Sequence, residues 1–177
     1  MSPMSRAKSS VFIAESLDGF IARADGAIDW LALVEREGED YGFAAFFETV
    51  DAMVMGRTTY NTVLGFDAWP YGAKRCVVLT HDPPSARHGE EFYAGDVTAL
   101  AERLGAEGAR HVYVDGGEVI SQFFAAGLID EVTVSIIPVV LGDGLRLTRR
   151  IGRDVRLELV QHRAFDSGLV RLTYRVA

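Results

Sequence analysis

What most constrains this chain is a series of apolar, β-branched runs set apart by helix-like segments. The runs are SVFIAES (Ser10–Ser16), DAMVMG (Asp51–Gly56), RCVVLT (Arg75–Thr80), HVYVDG (His111–Gly116) and EVTVSIIPVV (Glu131–Val140). Several are continuous, the pattern of strands covered on both faces. Between them, EDYGFAAFFETV (Glu39–Val50), RTTYNTVLG (Arg57–Gly65), DVTALAERLGAEG (Asp96–Gly108) and GEVISQFFAAG (Gly117–Gly127) carry helical spacing. Such alternation predicts an α/β fold with a mainly parallel sheet and helices on both faces. The end of the chain departs from it. VRLELVQHRAF and LVRLTYRV alternate apolar with polar residues and are joined by DSG (Asp166–Gly168), which predicts a closing antiparallel hairpin. His81–Glu91, with its Pro-Pro pair, reads as a surface loop.

A length of 177 residues suits one domain, here residues 11–177, after a polar tail at 1–10 that carries Arg6 and Lys8. Cys76 is the single cysteine, so no intramolecular disulfide forms and a reducing, cytoplasmic setting is expected. No Cys/His cluster offers a metal site. No apolar run approaches the ~20 residues of a membrane span. A net charge of −7 argues against nucleic acid and anionic membranes as partners. The expected partner is a small molecule, and any anion on it must be met by local cations or helix ends.

Two strand-to-helix junctions have that character. In VMGRTTY, Gly56 allows a turn, Arg57 brings a fixed cation, and Thr58 and Thr59 bring hydroxyls and N–H groups to a helix start. The same residues would also serve a plain helix cap with a solvated arginine. In VDGGEV, Gly116 and Gly117 would let a pyrophosphate approach the helix beginning near Glu118, or would simply form a tight turn after Asp115. GxGxxG spacing is absent. Together the two junctions could span a dinucleotide. After the first strand, SLDGFIARADGAIDWL has two Asp-Gly turn signals around Phe20 and Ile21, the composition of a lid or of a β-ribbon on the core. The four histidines, His81, His88, His111 and His162, accompany no nucleophile motif.

VFIAESLDGFIA, DWL, VDAMVMGRTTY, VVLT, VDGGEVISQFF and LIDEVTVSIIPVVLGDG, in this order and followed by the closing strand pair, resemble the dihydrofolate reductase superfamily. The likeness is greatest to the C-terminal reductase domain of the bifunctional riboflavin-biosynthesis protein RibD and its stand-alone relatives. It implies a mainly parallel eight-stranded mixed sheet ending in an antiparallel strand, with NADPH across the carboxyl ends of the strands. Arg57 then matches the arginine for the 2′-phosphate, with Gly56, Thr58 and Thr59 at the pyrophosphate side. Leu79, Thr80 and His81 match the stretch along the adenosine. Gly116, Gly117, Glu118 and Val119 match the glycine turn and helix start, Ala14 the nicotinamide carboxamide contact, and Ile21 the loop beside its ribose.

On the substrate side, Asp40 falls where dihydrofolate reductases carry a carboxylate, though an acid there also suits a helix N-terminus. Trp30 matches the tryptophan flanking the substrate pocket, or is a core aromatic. Extra residues between Asp25 and Asp40 depart from a folate pocket. The implied activity is NADPH-dependent hydride transfer to a C=N or carbonyl carbon of a small pterin-, pyrimidine- or ribosyl-type substrate, as in 5-amino-6-(5-phosphoribosylamino)uracil reductase. Asp40 or a water would supply the proton. The open alternatives are a non-catalytic nucleotide-binding protein with the same groove, a flavin or other nucleotide in it, and a folate-type reductase. Relatives of this kind are often homodimers, so a homodimer is expected.

Overall fold

The computed structural model describes residues 6–177. Eight strands form one sheet in the order β5-β4-β3-β6-β1-β7-β10-β9. Its strands are β1 (Lys8–Ser16), β3 (Ala52–Gly56), β4 (Arg75–Leu79), β5 (Glu91–Tyr93), β6 (His111–Asp115), β7 (Glu131–Ile137), β9 (Leu157–Ala164) and β10 (Val170–Val176). Every pairing from β5 to β7 is parallel, and β10 runs antiparallel to both β7 and β9. The mainly parallel, eight-stranded mixed sheet with an antiparallel end is as expected. A second, two-stranded sheet joins β2 (Phe20–Ala22) to β8 (Leu145–Arg146).

The continuous apolar runs become the most buried strands. In β3, Ala52, Met53, Val54 and Met55 have no exposed surface, because each face meets its own helix layer. Val54 and its face neighbours pack with Val97, Leu100 and Leu104 of α3 (Val97–Ala106) and Ile120 and Phe123 of α4 (Gly117–Ala125). Met53 and Met55 face the opposite layer, where Tyr60 and Val63 of α2 (Arg57–Leu64) are buried and the phenylalanines of α1 (Phe43–Glu48) lie alongside. Asp96 caps α3 by accepting the Ala99 N–H at 2.8 Å.

Several elements differ from the sequence expectation. The tail expected over 1–10 lies partly outside the described residues, and Lys8–Ser10 already belong to β1. Arg6 holds Asp130 through two bonds of 2.8 and 3.0 Å, and Asp130 accepts the Ser9 N–H, so the strand is anchored before its apolar run begins. β5 starts at the last residue of the expected surface loop and is only three residues long, too short to show a period. The helix expected over 39–50 is confined to Phe43–Glu48, since Gly42 before it adopts φ 88°. A 3-10 helix over Asp29–Val34 also went unforeseen.

At the far edge all of β9 is exposed, including Leu157, Leu159 and Val160 at 42, 54 and 57%. Among the described residues no helix is long and apolar enough to cross a membrane, and no group of His, Cys, Asp and Glu is placed to hold a metal.

The two-face packing makes Phe123 a sensitive reporter. Phe123→Ala should reduce unfolding free energy by about 3–5 kcal/mol, read from denaturant midpoints at unchanged slope.

Candidate functional site

Strands β3 and β6 are parallel neighbours, with Met55 opposite Asp115. Their pairing sets the two glycine junctions side by side at the carboxyl end of the sheet. Contact between them is direct: a Cβ at Gly116 would lie 2.6 Å from Thr59 Oγ1 and 3.7 Å from the Gly56 nitrogen. Gly116 has φ 95°, a conformation that favours glycine. Gly56 and Gly116 are the N-caps of α2 and α4, and neither helix receives a side-chain capping bond. Thr58 and Thr59 are therefore not caps. Two sets of first-turn N–H groups are left toward one cavity of about 440 Å³.

That cavity is lined by Ala14, Ile21, Gly56, Arg57, Thr58 and Thr59, and also by Leu79, Gly116, Gly117, Glu118 and Val119. The structure thus brings together most of the residues expected to meet the cofactor. Thr80 lies one contact away: its hydroxyl accepts from Arg57 at 3.4 Å and from the Asp82 N–H at 3.2 Å. Arg57 also bonds the Asp82 carbonyl and, through Nε, Asn61 Oδ1 at 3.0 Å, so its guanidinium is held at the edge of the groove. His81 is exposed and does not line the cavity.

The small β2–β8 sheet borders the same space. Gly117 leaves room for it, since a Cβ there would come within 2.4 Å of the Arg146 carbonyl oxygen and 3.3 Å of Ile21 Cδ1. Asp18, in the turn before β2, accepts from Ser16 Oγ at 2.6 Å and from the Leu141 and Gly142 N–H groups at 3.1 and 2.7 Å. The Ser16 hydroxyl, assisted by those N–H groups, lowers the Asp18 pKa to about 2. The lid-like segment is thereby fastened to the loop after β7.

Some lining residues carry no functional expectation from sequence. Tyr71, Tyr113, Asp115 and Arg149 line the cavity. The Arg149 N–H donates to Ser121 Oγ at 2.9 Å, while that hydroxyl donates to the Gly117 carbonyl, which ties the chain after β8 to α4. Asp115 lies at the cavity wall, half-buried, and burial raises its pKa to about 6 against the opposing pull of the Gly116 N–H and the Tyr113 hydroxyl. The only sequence signal for it was an acid directly before two glycines.

A second cavity, about 670 Å³, adjoins the first and shares Phe12, Ile13, Ala14 and Leu31 with it. Asp40 lies on its rim. The Asp40 carboxylate accepts the Ala44 and Gly42 N–H groups at 2.8 and 2.9 Å, which hold its pKa below the usual value. This arrangement makes Asp40 an anion that anchors the start of α1, not a reserve of a proton. Trp30 is 3% exposed and packs on Val34, Ile137 and Leu169, three walls of this cavity, without lining it. Its indole nitrogen has no partner among the described residues.

The model of the RibD C-terminal domain matches residues 8–171. The chain belongs to the RibD C-terminal domain family. That family is one of reductases. The uncharacterised protein YwjB of Bacillus subtilis (strain 168) is 36% identical over 170 residues, covering 94% of this chain and 97% of YwjB. A crystal structure from Shewanella sp. PV-4, named as a candidate riboflavin biosynthesis protein, superposes with a TM-score of 0.90 at 34% identity, covering 96% of this chain and 99% of that one. Dihydrofolate reductase from Enterococcus faecalis, complexed with NADP(H), shares the fold at a TM-score of 0.69 and 18% identity, covering 96% of each chain.

Two expectations follow. Gly117→Ala should displace β8, measured as faster amide exchange across Leu145–Leu147, because its new carbon has no space beside the Arg146 carbonyl. Asp115→Asn should stabilise the protein at pH 8. The folded pKa lies above the unfolded one, so the proton on Asp115 favours the fold at low pH, and that contribution is lost as pH rises from about 3.8 through about 6. Removing the charge should recover up to about 3 kcal/mol above pH 6 and little at pH 3. Equal stabilisation at both pH values would refute the assignment.

Proposed function

We propose that this protein is an NADPH-dependent reductase that delivers hydride to a C=N or carbonyl carbon of a small molecule. The observation that carries the reading is the pair of helix N-termini without side-chain caps, side by side at Gly56 and Gly116, with Arg57 at the groove edge. Bare N–H groups and a guanidinium fit a pyrophosphate and a 2′-phosphate. The residue set is chemically suited to the cofactor: Arg57, Thr58 and Thr59 would hold the phosphates with Gly116 and Gly117, while Ala14 and Ile21 would border the nicotinamide end. When bound, the cofactor supplies the hydride.

The chain's own contribution is placement and proton control. β1 carries Phe12, Ile13 and Ala14 past both cavities, so a molecule in the second lies across the shared wall from the first. The β2–β8 sheet and its Asp18 fastening limit the entry of water from one side. Asp115 lines the first cavity, where burial raises its pKa to about 6, whereas Asp40, on the rim of the second, is held as an anion by two N–H groups, so an ordered water is the better proton source for a molecule in the second cavity. The family and the pocket support a pyrimidine reductase-like activity, and turnover separates it from a non-catalytic nucleotide-binding protein.

Loss of the Arg57 charge tests the cofactor assignment. Arg57→Ala should weaken NADPH binding by about 10–100-fold, as expected for charge-assisted hydrogen bonds, while NADH binding changes little. Calorimetric titration measures both. Absence of any NADPH signal from the folded wild-type protein would sink the proposal, and sustained NADPH oxidation with any aminopyrimidine, pterin or simple carbonyl would exclude the non-catalytic reading.

A further inference from the structure

The second cavity is electrostatically unlike the first. Four carboxylates stand at its lining, those of Glu35, Glu37, Glu39 and Asp40, against a single cation, Arg36. Counting these alone gives 4 − 1, a net of three negative charges. None of the four is engaged in an ion pair among the described residues. Arg36 is also turned back, donating to the Glu35 carbonyl at 2.8 Å and the Leu33 carbonyl at 3.4 Å, where it closes the end of the 3-10 helix. Arg171 does not line the cavity, but it donates to the Tyr41 carbonyl at 2.6 Å and lies near enough to Asp40 to help lower its pKa, so its charge offsets part of the negative rim and leaves a net of two.

The rim has a local structural origin. Residues 35–40 fold into a tight turn in which the backbones of Arg36 and Glu39 pair antiparallel and the Glu39 N–H donates to the Arg36 carbonyl at 3.1 Å. Gly38 at its tip has φ 75°. The turn sets its acids around a floor that is apolar, formed by Phe12, Leu31, Val34, Ile137 and Leu169. Carboxylates above low-dielectric walls concentrate negative potential in the opening.

On the reading of the site as a reductase, we propose that the second cavity selects a compact, apolar-bodied substrate that is positively charged, and rejects phosphorylated or carboxylated ones. The argument is one of sign. A phosphate seated there would face a net negative rim whose two nearby cations, Arg36 and Arg171, are both bonded to backbone carbonyls, whereas the first cavity offers Arg57 and two helix N-termini to the same group. A ribosyl phosphate is accordingly the wrong partner for this mouth, although the fold is that of the RibD C-terminal domain. The segment responsible, Glu35–Asp40, belongs to the extra residues that set the sequence apart from a folate pocket.

The experiment uses the full chain saturated with NADP+ and two probes of similar shape, N-methylquinolinium and quinoline-6-carboxylate, titrated by calorimetry at low salt. The cation should bind about tenfold or more tightly than the anion, and the ratio should fall toward one at 0.5 M salt, an ionic strength chosen to screen charges at about 4–5 Å. Glu37→Lys/Glu39→Lys should invert the preference, with circular dichroism and NADP+ affinity confirming that fold and first cavity are intact. Should that variant misfold, Glu37→Gln/Glu39→Gln must at least narrow the ratio. Equal or tighter binding of the anion, absence of binding by both probes, or a ratio unmoved by the substitutions overturns the proposal. Failure of NADP+ itself to bind falls instead on the cofactor reading, which the separate NADP+ titration reports.

Discussion

The lateral pairing of β3 with β6 is the constraint from which the site follows. These strands are far apart in sequence, yet the register that sets Met55 beside Asp115 places Gly56 and Gly116 at the same level of the sheet. Each strand then feeds a helix whose first N–H groups have no side-chain cap. Either junction alone would be a modest anion site. Side by side they form one groove, and its length comes from strand spacing, not from any long motif. The buried Met53, Val54 and Met55 of β3 hold this register, so the apolar core and the polar groove are consequences of the same pairing.

Charge is divided across the two cavities. At the groove, Arg57, Arg149 and the two helix N-termini stand beside Asp115 and Glu118, so positive groups for an anion are present on a protein whose net charge is −7. Beyond the wall of Phe12, Ile13 and Ala14, the Glu35–Asp40 turn makes a negative one. One acid behaves differently from both sets. Asp115, at the wall of the first cavity, has its pKa raised because burial outweighs its N–H and hydroxyl donors, whereas two N–H groups fix Asp40 as an anion at the surface. Similar side chains thus acquire opposite proton affinities from their surroundings.

Much of this could be read from the chain itself. The five apolar runs are strands because residues covered on both faces have no reason to alternate, and the glycine junctions stood out because two glycines directly before a helical pattern are costly unless something needs the space. What escaped was short or set by distant contacts. β5 has three residues and exists by pairing with β4, and β2 and β8 meet across more than a hundred residues of chain. Asp40 was found by position, but its role depended on Gly42 turning the backbone so that Ala44 and Gly42 N–H groups point back at it. Asp115 gained its meaning only from the depth at which β6 ends.

The absence of room at Gly117 links two parts of the chain that have no sequence relation. The start of α4 and the carbonyl of Arg146 occupy a space in which a single added carbon does not fit. Any change in the path of β8 must therefore be accommodated at the helix start, and the reverse. The groove's border on this side is therefore set mechanically by the helix start, whereas the Glu35–Asp40 turn at the second cavity is tied to its surroundings chiefly through the hydrogen bonds of Asp40.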